Sequence, residues 1–341
     1  MEDLRIGLAG YGDWARNAYV PALREDRRAR VVAAAARSPE TRERIAGDLG
    51  TGVTIFDHFE ALVASSMIDA VFVALPDGLH EAALTAALDV GLPTLYEPPV
   101  ADRIDRIRPM LHRLLATDQV THADLELSYL PIVARVAELI ACEALGKLRT
   151  AAIRLWGSWD IAQGSSLSII HQLGPWYLDA LDRALNRRPR RILVLKQQGM
   201  ENRSQAFALA NLDYGDLWGQ FQVNLGSSGG LETTLEVIGD DGDIRANLIT
   251  GNLRWRTRQC PDWHLERGAA REPRAYWPGM HECVGAFLDA LEAGGPSTTG
   301  PATIARQHLA GLAAEESITT GGWAEIEDVV ELQRQTRDQD G

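Results

Sequence analysis

The 341-residue chain has three cysteines, Cys142, Cys260 and Cys283, widely spaced and without a Cys-x-x-Cys pair. An odd, scattered set excludes a disulfide framework and offers no zinc-ligand spacing, so no metal site is expected and a reducing, cytoplasmic compartment is. Long apolar runs are missing too: none approaches the ~18 residues of a membrane span, and the charged start Met1-Glu2-Asp3-Leu4-Arg5 lacks the apolar core of a signal peptide. Positive charge is scarce. A formal net charge of -13 gives no basic face for phosphate neutralisation. The one basic run, Asn186-Arg187-Arg188-Pro189-Arg190-Arg191, reads as a solvated connection between a helix and a strand. Nucleic acid and membrane are therefore excluded as partners, and a small-molecule substrate is expected.

What remains is an ordinary globular composition, 45% apolar and 24% charged, on a chain whose length makes two domains the default. Residues 4–9, 31–36, 53–56, 70–75 and 93–96 read as strands, and residues 14–23, 41–49, 59–63 and 81–90 as the intervening helices. These strands are rich in Val and Ala and lack period-2 alternation, as expected of a parallel sheet covered on both faces. After about residue 121 the texture changes. A helix at 130–140 precedes strand-like segments at 149–156, 191–197, 205–214, 217–225, 231–239 and 243–249, several joined by hairpin-type turns. Helices at 280–292 and 302–319 close the chain. The expected fold is α/β: a doubly wound parallel sheet over residues 1–121, then an α+β domain over 122–341 with an open, mostly antiparallel sheet.

Gly10-Tyr11-Gly12-Asp13-Trp14-Ala15 follows the first strand and opens a helix. In that setting the first glycine permits the tight turn, the second lets backbone approach a pyrophosphate, and small Ala15 allows helix–strand packing. Amides at the helix start then face phosphate. The second strand ends in Ala36-Arg37-Ser38, where an NAD enzyme would carry an acid for the ribose 2′-hydroxyl. A cation and a hydroxyl suit a 2′-phosphate, so NADP is expected, with NAD as the alternative in which Arg37 merely points to solvent. Leu75, Pro76 and His80 lie at the carboxyl end of the next strand, and Glu97 and Pro98 at the end of the one after, where ligands bind in open α/β sheets. All are expected cofactor neighbours.

The glycine turn, residues 70–97, the turn series 215–242, the segment Phe287-Leu288-Asp289-Ala290-Leu291 and the ending Gly321-Gly322-Trp323 together resemble the glucose-fructose oxidoreductase, inositol dehydrogenase and rhizopine-catabolism family. The resemblance implies a Rossmann domain joined to an α/β domain whose sheet often serves as an oligomer interface, hence a homodimer or homotetramer, with substrate held over the nicotinamide. It also implies a Glu-Lys-Pro lysine and an Asp and a His four residues apart on a helix. At those positions this chain has Pro98, Gln172 and Trp176. Sugar-alcohol oxidation needs a base for the hydroxyl proton, so the family's usual proton chemistry cannot run unchanged.

His171, with an ordinary pKa near ~6.5, is the expected substitute acid or base, against a capping or core role. Gln172 can hydrogen-bond a substrate carbonyl without titrating. Trp176, Trp159 and Asp160 are candidate substrate contacts. The stretch from His122 to Tyr129 alternates polar with apolar residues, so one strand face would carry His122, Asp124, Glu126 and Ser128; there the resemblance makes Glu126, Tyr129 and His122 further candidates. Two functions follow: an NADP-dependent reductase acting on C=N or an activated C=O, or a nucleotide-binding protein that no longer turns over, or uses the cofactor without net redox change.

Overall fold

The computed structural model describes residues 3–158, 165–198, 206–268 and 277–340. Its contacts divide the chain into two compact units, each made of separated segments: residues 1–126, 274–305 and 332–341 in the first, 127–273 and 306–331 in the second. This differs from the expected single division at 121/122. The first unit keeps the end of its last strand and the residues just after it, to 126, and takes back residues 332–341 from the carboxyl-terminal helix.

The first unit is built on six parallel strands, β1 (Leu4–Ala9), β2 (Ala29–Ala35), β3 (Thr54–Phe56), β4 (Ala70–Val73), β5 (Thr94–Tyr96) and β6 (Thr121–Ala123). Their order is β3-β2-β1-β4-β5-β6, the arrangement of a doubly wound dinucleotide-binding sheet. Strands β4, β5 and β6 are buried at every residue, which is why β4 and β5 read as apolar runs without period-2 alternation. The helices are α1 (Val20–Glu25), α2 (Pro39–Leu49), α3 (Phe59–Val63), α4 (His80–Asp89) and α5 (Ile104–Ala116). The expected helix at 14–23 begins as a π-turn over Ala15–Tyr19 before continuing as α1. An aromatic column locks the core: Tyr19 and Phe72 ring centroids are 5.3 Å apart, and Phe72 and Phe287 5.6 Å apart.

The second unit begins with α6 (Pro131–Ala141), β7 (Leu148–Trp156) and α7 (Ile169–Leu185). The strands β8 (Arg191–Gln198), β9 (Phe207–Asp213), β10 (Trp218–Asn224), β11 (Glu232–Gly239), β12 (Gly242–Asn247), β13 (Asn252–Thr257), β14 (His264–Arg267) and β15 (Ala324–Glu325) follow. They join in the order β14-β13-β12-β11-β7-β10-β9-β8-β15. Among the described residues every strand pairing in this sheet but one is antiparallel; β7 and β10, at the sheet centre, run parallel. The chain also forms α8 (Met280–Ala293) in the first unit, α9 (Pro301–Thr320), and α10 (Val329–Asp340). Among the described residues no helix is long and apolar enough to cross a membrane.

Candidate functional site

The β1 exit turn is set by Gly10, whose φ of +97° belongs to the left-handed region and whose amide donates to Ala35 O at 3.1 Å. A Cβ at Gly10 would lie 2.0 Å from Ala74 O, so β1 and β4 approach here only because the side chain is absent. Gly12 is different: a Cβ there would meet nothing within 4 Å. The space above it belongs to a cavity of about 500 Å³. That opening, at the start of a helical segment, fits a pyrophosphate approaching backbone amides. Tyr11 is fixed beneath the turn by its hydroxyl donating to Asp48 at 3.3 Å; burial, then the Asp48 charge, push the phenol up to about 12.

Along the carboxyl edge of the sheet the cavity is lined by Gly10 to Trp14, by Arg37, Ser38, Thr41 and Arg44 at the β2 end, and by Leu75, Pro76, Leu79 and Glu97 at the β4 and β5 end. Of the expected cofactor neighbours, Gly10, Tyr11, Gly12, Asp13, Trp14, Arg37, Ser38, Leu75, Pro76 and Glu97 line it. Ala15, Pro98 and His80 do not. Ala15 is wholly buried under the turn. The His80 ring is held between Pro99 O at 2.8 Å and Leu75 O at 2.7 Å, so it ties two loops together and has no nitrogen left for a ligand. Ser38 caps α2, accepting from the Thr41 amide at 3.1 Å. Arg44 was not foreseen; its signal is its place one turn beyond Thr41 on the helix that starts at Pro39.

Behind the β5 end three carboxyl groups converge. Asp124 follows β6, its amide bonded to Tyr96 O at 2.8 Å. Its Oδ2 accepts from Trp14 Nε1 at 2.8 Å, and the Cys283 thiol donates to Oδ1 at 3.7 Å. Glu126 Oε1 accepts from Trp277 Nε1 at 2.9 Å, while Oε2 is buried with no partner. The Trp14 and Trp277 rings lie 5.3 Å apart. Burial, and then the Asp124 charge, push Glu126 well above the ordinary carboxyl range; burial also raises Asp124, against hydrogen bonds led by Trp14. Glu97 is pushed up by its desolvation, by Asp124 and by Asp77.

The alternating strand face expected over 122–128 does not form. The strand stops at Ala123 and residues Glu126–Tyr129 turn as a 3-10 helix, so the polar residues scatter. His122 is enclosed, with Ser297 Oγ at 2.6 Å and Cys283 Sγ at 3.3 Å. Ser128 donates to Asp179 at 2.5 Å, in the second unit, where Tyr129 lies under the Arg183 guanidinium at 5.5 Å.

His171 is corrected from candidate acid or base to an interior residue. Ser168 caps α7 by accepting from the His171 amide at 3.1 Å, and the ring is 0% exposed. Its Nε2 is 3.1 Å from His308 Nδ1, its Nδ1 is 3.3 Å from Glu315 Oε1, and Gly311 of α9 lies so close that a Cβ there would be 2.2 Å from the ring. A ring so enclosed presents no surface to a substrate. Gln172 is likewise buried, and Trp176, half-buried, packs on that unit's apolar core. Trp159 and Asp160 lie outside the described residues.

Burial, and then the charge of His171, hold His308 well below the ordinary histidine range. The unfolded chain takes up a proton near about pH 6.5 that the folded ring refuses, so acidification below that value draws the protein towards unfolding. Thermal melts from neutral pH down should show His308→Gln losing less stability than wild type, by up to about 1.4 kcal/mol per pH unit. Parallel losses in the two proteins would refute this.

The sequence profile of the "Oxidoreductase family, NAD-binding Rossmann fold" matches residues 4–124. Over 138 residues the chain is 30% identical to D-xylose 1-dehydrogenase (NADP(+)) 2 of Haloferax volcanii, covering 40% of this chain and 41% of that protein. It is 33% identical over 110 residues to inositol 2-dehydrogenase of Corynebacterium glutamicum, 29% of each chain. The likeness thus spans less than half the length of either relative. Levoglucosan dehydrogenase, solved in complex with NADH, superposes with a TM-score of 0.79 at 16% identity over 96% of this chain and 100% of its own, a likeness of fold.

Proposed function

We propose that this chain, whose residues 4–124 match the profile of the oxidoreductase family with the NAD-binding Rossmann fold, binds NADP in the glycine-turn cavity and moves hydride to or from a small molecule, at C=N or an activated C=O, without the lysine expected from the family resemblance. The observation that carries the cofactor preference is the β2 end of the cavity. Arg37 and Arg44 bring two guanidinium groups, and Ser38 and Thr41 two hydroxyls, where a ribose-binding acid would favour NAD. The acid that does line this region, Asp57, is paired with Arg42 at 3.1 Å.

The glycine turn and the helix-start amides would hold the pyrophosphate, Arg37 and its neighbours the 2′-phosphate, and Leu75, Pro76 and Glu97 the other end. When bound, the nicotinamide supplies or accepts the hydride. Pro98 supplies no proton group, which is also the observation favouring a second reading, a cofactor-binding protein without turnover.

The two readings separate on purified protein. NADPH oxidation with a panel of imines, ketones and sugars supports the first; NADPH binding with no turnover on any member supports the second. Arg37→Ala should weaken NADPH binding roughly 10-fold to 100-fold, the loss of a charge-assisted contact, and leave NADH binding nearly unchanged. Equal effects on the two cofactors would remove Arg37 from the 2′-phosphate.

A further inference from the structure

The first unit contains no lysine: the chain's two, Lys147 and Lys196, both fall in the second. Its histidines are committed or misplaced. His80 is held by two carbonyls, His122 lies between Ser297 and Cys283, His112 is 2.7 Å from Thr336 Oγ1, His281 packs near Glu25, and His58 stands at the Arg37 end of the cavity. What this unit offers at the other end is carboxyl groups.

Sheet order locates that end. Arg37 follows β2 and Glu97 follows β5, three strand steps apart, about 14 Å at the usual interstrand spacing. A dinucleotide with its pyrophosphate over the β1 turn and its 2′-phosphate at Arg37 therefore directs its nicotinamide half towards Glu97. Resting on the cofactor reading above, we propose that the Glu97 carboxyl exchanges the reaction's proton with substrate, the task of the absent lysine, and that Asp124 behind it is a positioning residue.

Three observations support the assignment. Glu97 lines the cavity and is partly exposed, while no described residue hydrogen-bonds its side chain, so its oxygens are available. The groups acting on it are carboxylates, Asp124 and then Asp77, which together with desolvation favour the uncharged acid. Behind it, Glu126 Oε2 is buried without a partner in the same carboxyl group, an arrangement tolerable for a neutral acid and costly for a second anion beside Asp124. The other titratable groups facing this cluster are Tyr19, Cys283 and, through Cys283, His122. A carboxylic acid kept neutral next to its site is a suitable proton donor at neutral pH.

In the reducing direction the substrate carbon gains hydride, the C=O or C=N π pair moves onto oxygen or nitrogen, and that atom takes the Glu97 proton, leaving a carboxylate that solvent reprotonates. In the oxidising direction the Glu97 carboxylate takes the hydroxyl or amine proton. Both directions balance without any further oxidant or reductant.

The test starts on cofactor-free, full-length protein. Infrared difference spectra, wild type minus Glu97→Gln, should show a carboxylic-acid carbonyl band at neutral pH that converts to carboxylate on raising the pH. Asp124→Asn should move that titration to lower pH, and Asp77→Asn should do the same in case the first variant folds poorly. With a substrate that turns over, Glu97→Gln should lower kcat about 100-fold or more at NADPH concentrations that saturate the variant. A Glu97 already ionised at neutral pH, or a Glu97→Gln protein turning over at the wild-type rate, overturns the proposal. Wild-type protein that binds no NADPH overturns the cofactor reading instead, and the proposal with it.

Discussion

Gly12→Val should remove NADPH binding while leaving the protein folded. Nothing lies within 4 Å of a Cβ at Gly12, and the residue is exposed, so a branched side chain costs the fold roughly 0.5 kcal/mol or less. The same open space is where a pyrophosphate must come against the turn amides. Valine fills it. An affinity loss of about 4 kcal/mol, roughly 1000-fold, is expected by calorimetry, with an unchanged melting curve. Retained affinity would mean that the dinucleotide does not cross this turn.

Gly10→Ala, two residues earlier, should do the reverse: damage the first unit itself. An alanine at φ +97° carries backbone strain of about 1–3 kcal/mol. Its methyl would sit 2.0 Å from Ala74 O and 2.7 Å from the Ala74 carbonyl carbon, backbone atoms that cannot rotate away. Separating β1 from β4 costs about 1–3 kcal/mol more. Denaturant unfolding of this variant should show a loss of about 2–6 kcal/mol, and cofactor added at saturating concentration should recover part of it. Wild-type stability would contradict the close approach. Opposite outcomes at two neighbouring glycines distinguish the turn's fold-keeping position from its ligand-facing one.

The elements most legible in the sequence are those whose pattern follows from burial alone. Strands β4 and β5 are buried at every residue and β1 and β2 over their last three, so their mostly apolar runs announce a parallel sheet, and Gly10 to Ala15 stands where such a sheet binds a dinucleotide. The place of Arg37 was legible because the residue shortly after β2 faces the carboxyl edge of such a sheet, and it lines the cavity there. What was not legible depends on partners remote in sequence. The parallel meeting of β7 with β10 and the short edges β14 and β15 are products of tertiary packing, not of local periodicity. His171 looked free for chemistry because only the fold brings Gly311 and His308 against it. Glu126 and Trp277 are 151 positions apart, so their bond, and with it the convergence of carboxyl groups behind Glu97, has no signature in the chain. The absence of lysine from the first unit is countable in the sequence, but it carries meaning only once the unit's segments are known.

Calorimetric titration of the wild-type protein with NADPH and with NADH bears most directly on this account. It predicts saturable binding of both, with NADPH tighter by about 1.4 kcal/mol or more, a tenfold preference set at Arg37 and Arg44. Heat of binding from neither dinucleotide, or a clear preference for NADH, would contradict it.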